Sequence, residues 1–197
     1  MNQTVQSKIT EIAALLRIDP AWLDSVIKYE TGGTYDPLKK NPFSSARGLI
    51  QIIDKTARDT FGYQDSLSLV NDFPDFDSQM DNVVYPYLKQ FMPYPTKQSL
   101  YMAVFFPAAR FFDPSTTFRE LYQKLYPNPV LQKDGTYKTW EGYYDDFVKG
   151  NPGILSVNDY VQKVDSKSGF QYPSSKISVL IGALIIAGII IIYKRYL

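Results

Sequence analysis

"IKYETGGTYDPLKKNPFSSARGLIQI", residues Ile27–Ile52, is the stretch on which the reading of this chain turns. Leu23, Val26, Ile27 and Glu30 fall at i, i+3, i+4 and i+7, so a helix through them carries a carboxylate on the face of three aliphatic side chains. The helix has a defined start, with Asp19 as cap, Pro20 at the first helical position and Ile18 placed to staple against Leu23. Gly32 and Gly33 stop it. Glu30 is thus expected to be partly desolvated, and it stands in the last turn, where the carbonyl end of the helix disfavours negative charge. Both effects raise a carboxyl pKa and keep a proton available near neutral pH, as a general acid of a glycosidase requires. The plain alternative is a glutamate whose chain reaches from the helix end into water. Beyond the glycines, a tight turn before "LIQII" points the Gln51 amide away from the core, where it can bond an N-acetyl or hydroxyl group. The alternative is a buried hairpin in which Gln51 bonds backbone.

What is missing narrows the chemistry. The 197 residues, 45% of them hydrophobic, suffice for one globular domain with a core and an appendage. The net charge of +1 gives no electrostatic grip on nucleic acid, so no such partner is expected. Cysteine and histidine are both absent. That excludes a Cys–His pair, a Ser-His-Asp triad, a zinc site built on His or Cys, and disulfides. Catalysis would rest on carboxylates, hydroxyls, amides, Lys or Arg; neither a metal nor a cofactor is expected.

The segment "ISVLIGALIIAGIIIIY", Ile177–Tyr193, is an uncharged apolar run worth about 25 Å as a helix, enough to span a bilayer core. Lys176, Lys194 and Arg195 can reach headgroups, and Tyr193 and Tyr196 suit the interface. The alternative is a buried core helix. "MNQTVQSKIT" at the start lacks the apolar stretch of a signal peptide. A single-pass protein with a C-terminal anchor is expected, its basic tail on the cytoplasmic side by the positive-inside tendency. The organisation predicted is a domain over 1–164, a Ser-, Gly- and Lys-containing linker over 165–176, a transmembrane helix over 177–193 and a basic tail over 194–197.

Within the domain, Val5, Ile9, Ile12, Ala13 and Leu16 predict a first amphipathic helix, ahead of the one bearing Glu30. Further helices are predicted at Lys55–Phe61, Ser78–Gln90, Thr96–Phe106, Ser115–Leu125 and Val157–Val164, the last capped by Ser156. Asp134 with Gly135 predicts a small hairpin or turn.

"ETGG" from Glu30 to Gly33, "NPFSSARGLIQI" from Asn41 to Ile52, and Thr56 with Ala57 together resemble, in order and spacing, the lysozyme-like lytic transglycosylase domain. "YMAVFFPAAR", Tyr101–Arg110, stands where that family has its third motif and is similar to the form of phage-borne members. The resemblance covers about Ile18–Arg110, with "NPG" at Asn151–Gly153 and the following helix as a weaker continuation. It implies a mainly α, lysozyme-like domain with a small hairpin, to which the sequence adds one C-terminal transmembrane helix. It implies Glu30 as the catalytic acid and base, with Gln51, Ser44 and Ser45 beside the cleft and Gly48 letting backbone approach the sugar. The substrate implied is the glycan strand of peptidoglycan, cut between N-acetylmuramic acid and N-acetylglucosamine. The family's third-motif tyrosine, whose hydroxyl contacts the acid, is replaced by Phe105 and Phe106, so that hydrogen bond is absent or comes from another group, Tyr101 being the candidate.

Two rival readings stay open. A hydrolytic lysozyme would need a second carboxylate, with Asp36, Asp54 and Asp113 available. A non-catalytic structural protein on the same scaffold would use the sixteen Tyr and twelve Phe as a binding or packing surface. The third motif and the anchor suit a virion membrane of a lipid-containing bacteriophage, with lipid, capsid or other virion membrane proteins as partners; a bacterial inner membrane is the alternative.

Overall fold

Helix α1, Gln3–Leu16, buries Ile9, Ile12, Ala13 and Leu16 along one stripe, the pattern its spacing predicts. It is followed by α2, Pro20–Thr31, in the computed structural model, which describes residues 3–132 and 134–169. Asp19 caps α2 by accepting from the Ala21 N–H at 2.8 Å, and Gly32 ends it at φ 64°, a conformation that glycine adopts without a Cβ penalty. Leu23, Val26 and Ile27 of α2 are fully buried.

After an irregular stretch come α3 (Asp54–Phe61) and α4 (Ser66–Asp72), which pack on each other. Helix α4 is not among the helices that spacing predicts; Asp65 caps it by accepting from the Ser68 N–H at 2.7 Å. The helix predicted at Ser78–Gln90 runs as α5 (Phe76–Gln79), a π-helical segment (Met80–Val84) and α6 (Tyr85–Lys89). Pro86 offers no N–H, and just before it the ladder widens, the Tyr85 N–H bonding the Met80 carbonyl five residues back.

The remaining helices are α7 (Lys97–Phe105), α8 (Phe118–Leu125), α9 (Trp140–Gly150) and α10 (Val157–Ser168). Thr96, Thr117 and Ser156 close capping boxes on α7, α8 and α10. Strands β1 (Val130–Leu131) and β2 (Tyr137–Lys138) pair antiparallel, Val130 opposite Lys138, as the hairpin around Asp134 and Gly135 predicts. The fold is mainly helical with this one small sheet among the described residues. One apolar core joins α1, α2, α7 and α10. Helix α10 lies against both α2 and α7, and this packing positions the site.

One boundary is corrected. Helix α10 continues past Val164 to Ser168, and Asp165 is buried, accepting from the Lys97 ammonium and from the Tyr101 hydroxyl. Residues 165–168, expected in the linker, therefore belong to the folded domain. The rest of the linker beyond Gly169, the span Ile177–Tyr193 and the basic tail lie outside the described residues. Among the described residues no helix is long and apolar enough to cross a membrane.

Candidate active site

The end of α2 is held by several side chains. The Thr31 hydroxyl donates to the Ile27 carbonyl at 2.8 Å and accepts from the Tyr35 N–H at 3.1 Å. The Tyr35 hydroxyl reaches back to Asp24 at 2.6 Å, and Asp24 is also paired with Lys28 at 2.9 Å. The last turn is thereby fixed, and Glu30 with it.

Glu30 is half-buried by accessible area, its carboxyl group surrounded mainly by protein, and it opens onto a cleft of about 730 Å³. Burial pushes its pKa from the ordinary 4.5 up to about 7, against the opposing pull of a hydrogen bond from Tyr160. The Tyr160 hydroxyl donates to Glu30 Oε1 at 3.0 Å. Tyr160 is itself fully buried, and burial together with the neighbouring Glu30 carboxyl holds its phenol far above the usual range, so it stays a donor. Its ring stacks on Phe105 with centroids 4.0 Å apart and planes 10° from parallel, and meets Tyr29 edge-on at 5.7 Å. Glu30 Oε2 has no hydrogen-bond partner among the described residues. A protonated Glu30 thus accepts from Tyr160 on one oxygen and carries its proton on the other, the arrangement a general acid needs.

Gln51 lines the same cleft from a hairpin closed by reciprocal backbone bonds between Arg47 and Ile52. Its backbone sits at φ 53°, uncommon for a residue with a side chain. Both amide hydrogens are taken, Nε2 donating to the Gly48 carbonyl at 2.9 Å and to the Lys39 carbonyl at 3.2 Å. The backbone-bonding alternative therefore holds for the donor half of the amide; Oε1 alone is left to accept from a ligand.

The other expected site residues separate. Ser44 lines the cleft, and its hydroxyl accepts from the Ala46 N–H at 3.2 Å. Ser45 is not part of the lining: its hydroxyl accepts from the Asp54 N–H at 3.1 Å and its carbonyl from the Ser66 hydroxyl. Gly48 is also away from the cleft; at φ 83°, a Cβ on it would lie 2.7 Å from Gln79 Oε1 and 3.3 Å from Val70. Its closeness is to Gln79, which accepts from the Leu49 N–H and donates to the Pro37 and Phe73 carbonyls, and the role expected for Gly48 at a sugar is corrected to one in packing. Tyr101 is fully buried, its hydroxyl on Asp165 at 3.2 Å, so it does not supply the missing contact to Glu30. Tyr160 supplies it instead. Phe105, in the place of the third-motif tyrosine, backs Tyr160 by stacking.

Sequence reasoning missed Tyr160. The available signal was spacing: Val157, Tyr160, Val161 and Val164 repeat on α10 the i, i+3, i+4, i+7 pattern that singled out Glu30 on α2, and all four are buried. None of Asp36, Asp54 or Asp113 lines the cleft. They accept instead from the Leu38 N–H, from Ser66 and from Ser115. Glu30 is the one acid among the described lining residues. No group of three or more acidic side chains is placed to hold a metal ion among the described residues. Scanned against protein-family models and against curated proteins, the chain matches none.

Proposed function

We propose that this protein is a membrane-anchored peptidoglycan lytic transglycosylase on a lysozyme-like scaffold, with Glu30 as its general acid and base. The observation that carries the reading is a lone cleft carboxyl whose pKa burial raises to about 7, oriented by the Tyr160 hydroxyl. The cleft, at about 730 Å³, has room for sugar units. A single carboxylate suffices for this chemistry. Glu30 gives its proton to the glycosidic oxygen as the bond from muramic C1 to that oxygen breaks. The substrate's 2-acetamido group stabilises the positive ring. Glu30, now a carboxylate, takes the proton of the muramic 6-hydroxyl as that oxygen bonds C1, and a 1,6-anhydro ring closes without water. Gln51 Oε1 and the Ser44 hydroxyl are positioned along the cleft to accept from or donate to the sugars.

Hydrolysis through a second carboxylate is less well supported, because no other acid among the described residues lines the cleft. The apolar run Ile177–Tyr193 supports the anchor, and the "AVFFP" run at Ala103–Pro107 supports a virion protein that opens the wall during genome delivery. The test is digestion of isolated glycan strands by the full chain in detergent, with Glu30→Gln alongside. Anhydro-ended products from the unsubstituted protein alone are expected. Reducing ends would select the hydrolase, and equal turnover by both, or turnover by neither, would refute the enzyme reading. Assaying purified virions for the chain tests the location.

A further inference from the structure

Only two charged side chains line the cleft among the described residues, Glu30 and Lys163. Lys163 stands one turn beyond Tyr160 on α10, so the two share a face. Its ammonium makes no hydrogen bond or ion pair with any described residue, and among the described lysines that lack an acidic partner it is the one that lines the cleft. The acid nearest in sequence, Asp165, is taken by the Lys97 ammonium and the Tyr101 hydroxyl. Asp159, on the other side, is spent on the cap of α10, accepting from the Ser156 hydroxyl at 2.9 Å and the Ser156 N–H at 2.7 Å. Nor does Lys163 serve Glu30, whose anion is favoured by Tyr160 alone against burial. With Glu30 protonated, the described lining carries one positive charge and no negative one. Neutral sugars give an ammonium nothing to pair with; a carboxylate does.

Resting on the proposed glycan-cleaving function, we infer that Lys163 is a specificity residue that pairs with a carboxylate on the 3-O substituent of muramic acid. It selects muramic-acid glycans over neutral chitin-type chains of equal length. The carboxylate is the free lactyl group of a peptide-free strand or an acid group of the stem peptide.

The test measures equilibrium binding by full-length protein in detergent at pH 5.5, in the Glu30→Gln background so that no substrate is consumed. The probes are peptide-stripped glycan oligomers, peptide-bearing oligomers and chitooligosaccharides of the same length. Muramic oligomers are expected to bind about tenfold more tightly than chitooligosaccharides, as a charge-assisted hydrogen bond allows. Lys163→Met should remove that preference while leaving chitooligosaccharide binding, which also reports the fold, unchanged; Lys163→Arg should keep it. A preference confined to peptide-bearing strands assigns the stem peptide, and one seen with stripped strands assigns the lactyl group. If the unsubstituted enzyme cleaves glycan strands but Lys163→Met keeps the full preference, or no preference exists, the inference fails and the proposed function stands. If no glycan is bound and none is cleaved, both fall.

Discussion

Replacing Glu30 by Gln keeps the shape of the side chain and an oxygen for the Tyr160 hydroxyl while removing the ionisation. The folded protein holds this carboxyl near pKa 7 against an ordinary 4.5, so ionising it costs the fold about 3 kcal/mol. The sign follows from the raised value. Below about pH 4.5 Glu30 is protonated folded or unfolded, and its neutral form contributes fully; as pH rises through 7 the unfolded chain gains by ionising earlier, and that contribution is lost. Urea unfolding of the two proteins at intervals from pH 4 to 9 should therefore give curves that nearly coincide at pH 4 and diverge upward. By pH 9, Glu30→Gln should be the more stable by about 3 kcal/mol. Every other titration cancels in the difference. Parallel profiles across the range would mean the carboxyl ionises as in water, which would defeat both the burial reasoning and the general-acid role.

Other substitutions probe the remaining contacts. In strand cleavage, kcat/KM should fall on the alkaline side with an apparent pKa near 7; Tyr160→Phe, by removing the bond that favours the carboxylate, should move that limb to higher pH and cost about 1 kcal/mol of stability. Tyr101→Phe should cost a similar amount of stability, about 1 kcal/mol in urea unfolding, yet leave the pH profile of cleavage in place, because its hydroxyl serves Asp165 and not Glu30. Gly48→Ala should destabilise by about 2 kcal/mol or more, since the left-handed backbone and the Gln79 amide both oppose a Cβ, and thermal unfolding reads it directly.

Much of the helical frame was legible because its determinants are local. Asp19, Thr96 and Ser156 cap the helices that follow them, and the aliphatic stripe of α2 leads straight to Glu30 and its burial. Helix α9 was not legible: of its eleven residues only Phe147 is buried, and Tyr143 and Tyr144 blur the stripe by packing at the edge of the core. The fate of Gln51 depends on a left-handed backbone and on the Lys39 carbonyl twelve residues earlier, neither of which spacing reveals. Ser44 and Ser45 look equivalent in a string, but Asp54 and Ser66 draw Ser45 away from the cleft. The hydroxyl on Glu30 comes from a helix the resemblance reached only weakly, and that long-range pairing required the packing of α10 on α2.

The hydrogen bond between Glu30 and Tyr160 joins positions 130 apart in the chain. During translation the acid leaves the ribosome long before the phenol that orients it, and through most of synthesis α2 has no α10 to shelter its carboxyl. An unsheltered glutamate is ionised at cytosolic pH and has no proton to donate. On the proposed mechanism, the nascent polypeptide therefore cannot act on a glycan until α10 has emerged and docked, and completion of the domain would serve as its own safety catch.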